Sequence, residues 1–224
     1  MKRINTNQKS RKCLCGKTKD TNGNCDGSHA QKTKVMQNIS IALLALMMLF
    51  SFQSFSLLKK ETMSVTKSNI LWKGYKVTGS HEGTIALKSG NLIFDHNELV
   101  GGVFNVDMSS LACTDLSGEY KNKLEGHLKS EDFFNTAKYP TSNLTFKKVS
   151  PTGKNSYNIE AKITIKGKKQ MVSFSASVYG NKASAVLKID RTKFDIKYGS
   201  GSFFDGLGDN LIYDEFDLIL DINF

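Results

Sequence analysis

Between Cys13 and His29 the chain places three thiols and one imidazole within seventeen residues, CLCGKTKDTNGNCDGSH. Cys13, Cys15, Cys25 and His29 are therefore candidate metal ligands. Thiolates are soft donors that suit an iron–sulfur cluster or zinc, and an imidazole replacing a fourth thiolate raises a cluster's potential and couples it to protons. The fourth cysteine, Cys113, stands alone and reads as a small buried hydrophobe. Three cysteines crowded at one end are not the framework of a disulfide-stapled fold.

Little else in the sequence looks catalytic. A nucleophile with its base, or paired acids at a recognisable spacing, is missing from the long C-terminal part. Its histidines are His81, His96 and His127. His81 in Gly79-Ser80-His81 and His96 in Asp95-His96-Asn97 read as turn residues, and His127 falls in a helical stretch. No catalytic residue is assigned, and a hydrolase is the weakest reading.

The formal charge of +10 looks like a nucleic-acid signal until it is divided along the chain. Residues 1–35 hold nine Lys and Arg against Asp20 and Asp26, so +7 of the +10 sits there. The other 189 residues are nearly balanced, which argues against a nucleic-acid groove. After the basic arm, Ile39 to Leu58 is an uncharged run of twenty residues. That is enough to cross a hydrocarbon core of roughly 30 Å as a helix.

The run reads equally as a transmembrane anchor or as a signal sequence cleaved near Ser54-Phe55-Ser56. The positive-inside rule keeps residues 1–35 cytoplasmic and exports the chain beyond the apolar run. The expected organisation is 1–35 as a basic cytoplasmic segment, 36–58 as transmembrane helix or signal, and 59–224 as one exported domain. The expected location is a bacterial-type inner membrane with the domain in the periplasm, or the periplasm itself after cleavage.

Beyond Lys60 the pattern changes to alternation with a period of two, which marks strands with one buried face. Tyr157, Ile159, Ala161, Ile163 and Ile165 share one face of a segment that turns at Gly167. Val172, Phe174, Ala176 and Val178 share the next face, before a turn at Gly180-Asn181. Ala183, Ala185, Leu187 and Ile189 come next, and Phe216, Leu218, Leu220, Ile222 and Phe224 close the chain.

Weaker strands are predicted at 84–88, 91–95, 99–108 and 143–149, the first two separated by Ser89-Gly90. In residues 117–138 Leu124, Leu128, Phe133 and Phe134 take helical spacing, with Ser130 as N-cap of a turn that buries the Phe pair. Eight or nine short strands joined by tight turns predict an all-β antiparallel barrel with a short helical excursion over its mouth. Such a barrel is either packed solid or holds one ligand. Ala161, Ala176, Ala183 and Ala185 on inward rows leave both outcomes open, since neighbouring Phe and Ile side chains can fill the gaps they leave.

Three motifs in order, GHLKSEDFFNTAKYPTSNLTF, AKITIKGKKQMVSF and KIDRTKFDIKYG, resemble the YceI-like family of exported lipocalin-like proteins. The matching residues include His127, Leu128, Ser130, Asp132, Phe133, Phe134, Tyr139, Pro140, Phe146, Gly167, Arg191, Phe194, Ile196, Tyr198 and Gly199. The family's Arg-Asp pair before the His-Leu pattern is absent, with Leu124-Glu125-Gly126 in that region.

The resemblance implies a hollow barrel holding a polyisoprenoid or isoprenoid-quinone chain, for carriage or storage. The candidate ligand-binding residues are then Phe104, Val106, Leu128, Phe133, Phe134, Phe146, Ile159, Ala161, Ile163, Phe174, Ala176, Ala185, Leu187, Phe216 and Leu218. Burial of apolar surface, at roughly 25 cal/mol per Å2, is the only chemistry such a lumen needs.

The N-terminal cluster resembles the CDGSH iron–sulfur motif through Cys13, Cys15, Thr18, Cys25, Asp26, Gly27, Ser28 and His29. It departs by nine residues between Cys15 and Cys25 where the motif has eight, and by Asn22 in place of its proline. The resemblance implies a two-iron, two-sulfur cluster and a possible homodimer. It leaves a membrane-anchored redox or metal protein, and a ligand-free structural envelope domain, as alternatives to the carrier. The full chain purified anaerobically is expected to show the visible absorption of a cluster, and a colourless, iron-free sample contradicts that expectation.

Overall fold

The computed structural model describes Lys12, Leu14, residues 18–24 and residues 60–224. The chain divides into two compact units, Met1–Leu57 and Leu58–Phe224. In the first, Lys12 and Asn24 form an isolated antiparallel bridge. The Asp20 carboxylate accepts the amides of Asn22 and Asn24, making the tight turn between them. Cys13, Cys15, Cys25, His29 and the apolar run 39–58 lie outside the described residues. Among the described residues no helix is long and apolar enough to cross a membrane.

The second unit is built from nine strands: β1 (Lys60–Ser64), β2 (Lys67–Lys76), β3 (Gly79–Asp95), β4 (Glu98–Cys113), β5 (Thr141–Gly153), β6 (Ser156–Ile165), β7 (Lys168–Tyr179), β8 (Lys182–Asp190) and β9 (Ile212–Asn223). All pairings are antiparallel, and from β2 onward each strand pairs with the next. β9 returns to β2, from Lys67 opposite Asn223 to Lys76 opposite Ile212. That last pairing closes an eight-stranded barrel and removes both free edges. β1 lies beside the far half of β3, Lys60 opposite Asp95 and Ser64 opposite Asn91.

The alternation in β6 to β9 translates into an inner row that is more buried than the outer one, fully buried along β6 and only half buried over much of β7, β8 and β9. Its turns are the tight kind that twisted hairpins prefer. Lys166 and Gly167 both take positive φ, as do His96 and Asn97 between β3 and β4. His96 is thus a turn residue as its neighbours suggest.

The first half of the barrel departs from the sequence expectation. Ser89-Gly90 does not separate two strands: β3 runs through it unbroken. Lys88 is an extra residue there, since Leu87 faces Val106 and Ser89 already faces Asn105. A larger bulge takes up Met108–Leu111 on β4, where Ser110 Oγ accepts the amide of Ala86 and donates to the Asp107 carbonyl. Bulges of this kind bend long strands around a barrel and scramble a period of two.

β1 and β2 arise where no strand is predicted: β1 is exposed throughout and carries no inward row, and in β2 Ile70-Leu71-Trp72 is apolar without a break. His81 lies within β3, not in a turn, and bonds through Nδ1 to Asp115 Oδ2 at 2.9 Å.

The helical excursion is α1 (Gly118–Lys129). Ser130 ends α1 and also begins the turn that buries Phe133 and Phe134, but its hydroxyl turns back to the helix and does not cap that turn. Its N–H and Oγ both donate to the His127 carbonyl, and its own carbonyl accepts the amides of Phe133 and Asn135. Glu125 ties the helix to β4 by accepting the amide of Cys113 at 2.8 Å. Cys113 is fully buried. Desolvation, then the bond to Asp115, pushes its thiol pKa up.

Gly83 sets how closely β3 approaches the Trp72 ring and β4. A Cβ there would lie 1.9 Å from the Ala112 carbonyl oxygen and 2.6 Å from the Trp72 ring. That same oxygen accepts the Trp72 indole N–H. Gly83→Ala is expected to cost about 3 kcal/mol or more of stability, checked by urea denaturation.

Candidate ligand cavity

The inward row of β6 is fully packed, with Ile159 and Ala161 at 1% and 0% exposure. Two and three strands further round the ring, the inward rows of β8 and β9 behave differently. Ala183, Ala185, Phe216, Leu218 and Leu220 point inward yet stay only half buried. What lies in front of them is space.

The register explains why. Ala176 faces Ala185 and Val178 faces Ala183, so small residues stand side by side and dent the wall of β7 and β8. The resulting cavity has a volume of about 230 Å3. A single water needs only about 10–15 Å3 on the same measure, so there is room for far more than one ordered water.

Every candidate ligand-binding residue except Ala161 stands on the wall of this cavity. β4 contributes Phe104 and Val106, β5 Phe146, β6 Ile159 and Ile163, and β7 Phe174 and Ala176. β8 contributes Ala185 and Leu187, β9 Phe216 and Leu218, while Leu128, Phe133 and Phe134 come from α1 and the turn after it.

Ala161 is the exception because Phe146 lies directly across from it on β5. Phe146 packs with Phe104 at 5.6 Å and with Phe174 at 6.0 Å. At this position the small side chain makes room for aromatic rings, not for a lumen.

Sequence reasoning missed Ile70, Trp72, Leu92, Leu99, Met108, Leu111 and Ser142, all on the wall. Most of them sit on the bulged or unpredicted strands. A signal existed for Ser142, since it is in phase with Leu144 and Phe146.

The two ends differ. Away from α1, Phe94 stacks on Phe224 at 5.4 Å, and Leu92, Leu99 and Tyr157 are buried. At the α1 end, Phe134 packs edge-on against Phe216 at 6.2 Å, and His127 sits between Tyr198 at 4.4 Å and Phe133 at 5.4 Å. The polar lining residues Tyr75, Lys76, His81 and Glu215 lie at the ends of β2, β3 and β9 nearest α1, where they are partly or fully exposed. The mouth is therefore at that end.

Arg191 holds the mouth in shape. It comes after β8 in a short 3-10 turn (Arg191–Phe194) and is 2% exposed. Its Nε donates to the Tyr213 carbonyl, Nη1 to Ile196 at 2.8 Å and Nη2 to Ile212 at 2.9 Å. Asp214 Oδ1 lies 3.6 Å from Nη2. A buried guanidinium is tolerated when each of its nitrogens has a carbonyl partner and a carboxylate lies close by. The lost water still lowers its pKa, against the pull of Asp214 and Asp190. Phe194 and Ile196 are buried beside it, and Tyr198 stays exposed.

Among the described residues no group of three or more His, Cys, Asp or Glu is arranged to hold a metal. Nothing on the cavity wall pairs a nucleophile with a base.

The YceI-like domain family matches residues 62–224. Among solved structures, BcnA of Burkholderia cenocepacia has the same fold, with a TM-score of 0.55 at 22% identity over 69% of this chain and 94% of that one. A polyisoprenoid binding domain from Saccharophagus degradans, implicated in plant cell wall breakdown, aligns with a TM-score of 0.48 at 14% identity, over 74% of this chain and 98% of that one. No curated protein matches.

Asp214 gives a pH test of the mouth. Desolvation pushes its carboxyl up, but the hydroxyls of Ser200 and Ser202 and the Arg191 charge outweigh it and hold the pKa below the ordinary value. A depressed folded-state pKa stabilises fully above the unfolded value and is lost as pH falls through the folded one. Between about pH 6 and pH 3 the urea midpoint of the wild type is expected to fall further than that of Asp214→Asn.

Proposed function

With residues 62–224 matching it, the chain belongs to the YceI-like family, and from that premise we propose that its barrel binds a polyisoprenoid or isoprenoid-quinone chain for carriage or storage. The observation that carries this reading is the half-buried inner row of β8 and β9 facing a cavity of about 230 Å3. An apolar surface left open to solvent inside a barrel costs free energy until something apolar covers it. At roughly 25 cal/mol per Å2, a prenyl chain regains that energy without any catalytic group.

Aromatic and branched side chains from every strand of the ring set the width of the slot, and the mouth beside α1 admits a chain end first. Export of the barrel, behind either an anchor or a cleaved signal at 36–58, fits a lipid carrier at a membrane.

The N-terminal thiols carry a separate proposal, that Cys13, Cys15, Cys25 and His29 bind an iron–sulfur cluster on the cytoplasmic side. Its support is the motif in the sequence and the Lys12–Asn24 bridge, whose two members directly precede Cys13 and Cys25 in the chain. On that topology the membrane separates cluster from barrel, and their fusion implies no electron transfer between them.

Trp72 is the chain's one tryptophan and lines the cavity, so its fluorescence reports on this site alone. Titration of the full chain with geranylgeraniol is expected to saturate and to shift the Trp72 emission. Ala185→Phe, which fills the dent opposite Ala176, is expected to weaken binding at least about 10-fold while leaving thermal stability equal or higher. An emission that never saturates, or an Ala185→Phe variant that binds as wild type, overturns the reading.

A further inference from the structure

The cavity wall carries two polar atoms that the fold leaves unsatisfied. Ser142 is 7% exposed, and its Oγ is buried without a hydrogen-bond partner. It sits on the inner row of β5, directly across from Val106 on β4, and lines the cavity. His127 Nε2 is likewise buried and unpartnered, on a ring fixed edge-on between Tyr198 and Phe133, and it lines the same cavity.

An unpaired buried polar atom costs on the order of 1–3 kcal/mol. A fold that binds every nitrogen of Arg191 leaves these two open at the same end of the barrel. Ser142 is the second residue of β5, which begins shortly after α1, and His127 is in the last turn of α1.

The charges around them narrow what can fit. Arg191 is the buried cation of the wall, and each of its nitrogens already donates to a backbone carbonyl. Lys76 and Glu215 lie at the mouth, and His81 there is bound to Asp115. An ionised headgroup brought to Ser142 would have to compete for the buried guanidinium with Asp214, whose Oδ1 already lies 3.6 Å from Nη2, at a cost its apolar tail could not offset cheaply. A hydroxyl and an imidazole can each donate or accept, so a neutral oxygen function suits both.

Resting on the reading of the barrel as an apolar-chain binder, we infer that the ligand carries one uncharged oxygen function, a hydroxyl, ketone or amide carbonyl. It is seated at the α1 end against Ser142 Oγ and His127 Nε2. The tail then runs toward Leu99 and Ile222 at the closed end. Ser142 and His127 select the head, while the wall holds the chain whatever its head.

The test is a cycle of variants against ligands, read by Trp72 fluorescence on the full chain. Geranylgeraniol, the hydrocarbon of the same skeleton without the hydroxyl, and geranylgeranyl phosphate are titrated into wild type, Ser142→Ala and His127→Phe. Each substitution is expected to weaken geranylgeraniol about 3- to 10-fold and to leave the hydrocarbon within about 2-fold. In wild type the phosphate is expected to bind more weakly than the alcohol.

Equal shifts for alcohol and hydrocarbon, or no shift for either, overturn the inference. So does a phosphate that binds tightest and loses that advantage in Lys76→Ala. If none of the three compounds moves the Trp72 emission of wild type, the barrel reading itself fails and this inference with it. Ser142→Ala decides the matter alone should His127→Phe fail to fold.

Discussion

The pairing of β2 with β9 is the constraint on which everything else in the barrel depends. It joins the first strand of the ring to the last across ladder positions from Lys67–Asn223 to Lys76–Ile212. Without it the sheet has two open edges and no inside. With it, each inward residue faces the far wall, and the interior volume is fixed by strand number and side-chain size together. The eight-strand ring lies at the size where a modest deficit of side-chain volume decides between a solid core and a cavity. The alanines of β7 and β8 supply that deficit on one side only.

The asymmetry organises the rest of the molecule. The wall of β4, β5 and β6 is heavy with aromatic and branched side chains, and its rings interlock over Ala161. The wall of β8 and β9 is left facing the gap. Arg191 then fixes the open end, because its carbonyl partners at Ile196, Ile212 and Tyr213 belong to the segment leaving β8 and the start of β9. The guanidinium joins the exit of one strand to the entry of the next. α1 works from the other side, held to β4 through Glu125 and presenting Leu124 and Leu128 to the cavity, with the Phe pair following in the turn after it.

How much of this could be read from the sequence depends on where the backbone is regular. β6 to β9 are legible because no bulge shifts their phase, so the inward rows can be identified even where Val186 and Ile219 put an apolar residue on the outer row. β3 and β4 are blurred because Lys88 and the bulge at 108–111 shift the phase partway along, so Leu111 could not be placed on the wall, whereas Met108 keeps the phase of Phe104 and Val106. β2 is hidden by Leu71 between Ile70 and Trp72, a half-buried leucine where alternation asks for a polar residue.

Ser130 is ambiguous in the sequence because a serine beside a helix can cap either end, and here it closes α1 through the His127 carbonyl. The polar pair is the subtler case. Ser142 has the phase of an inward residue and His127 the spacing of the helix face. Only the packed structure reveals that neither Ser142 Oγ nor His127 Nε2 meets a partner.

The central claim is that the space in front of β8 and β9 exists to be filled by a long apolar molecule. The most direct measurement is mass spectrometry of an organic extract from the full chain, purified without detergent from cells that express it. The account predicts a prenyl lipid or prenylated quinone, recovered in stoichiometric amount and missing from an Ala185→Phe preparation made in parallel. Wild-type protein that yields no such lipid and takes none up when it is supplied would contradict the account.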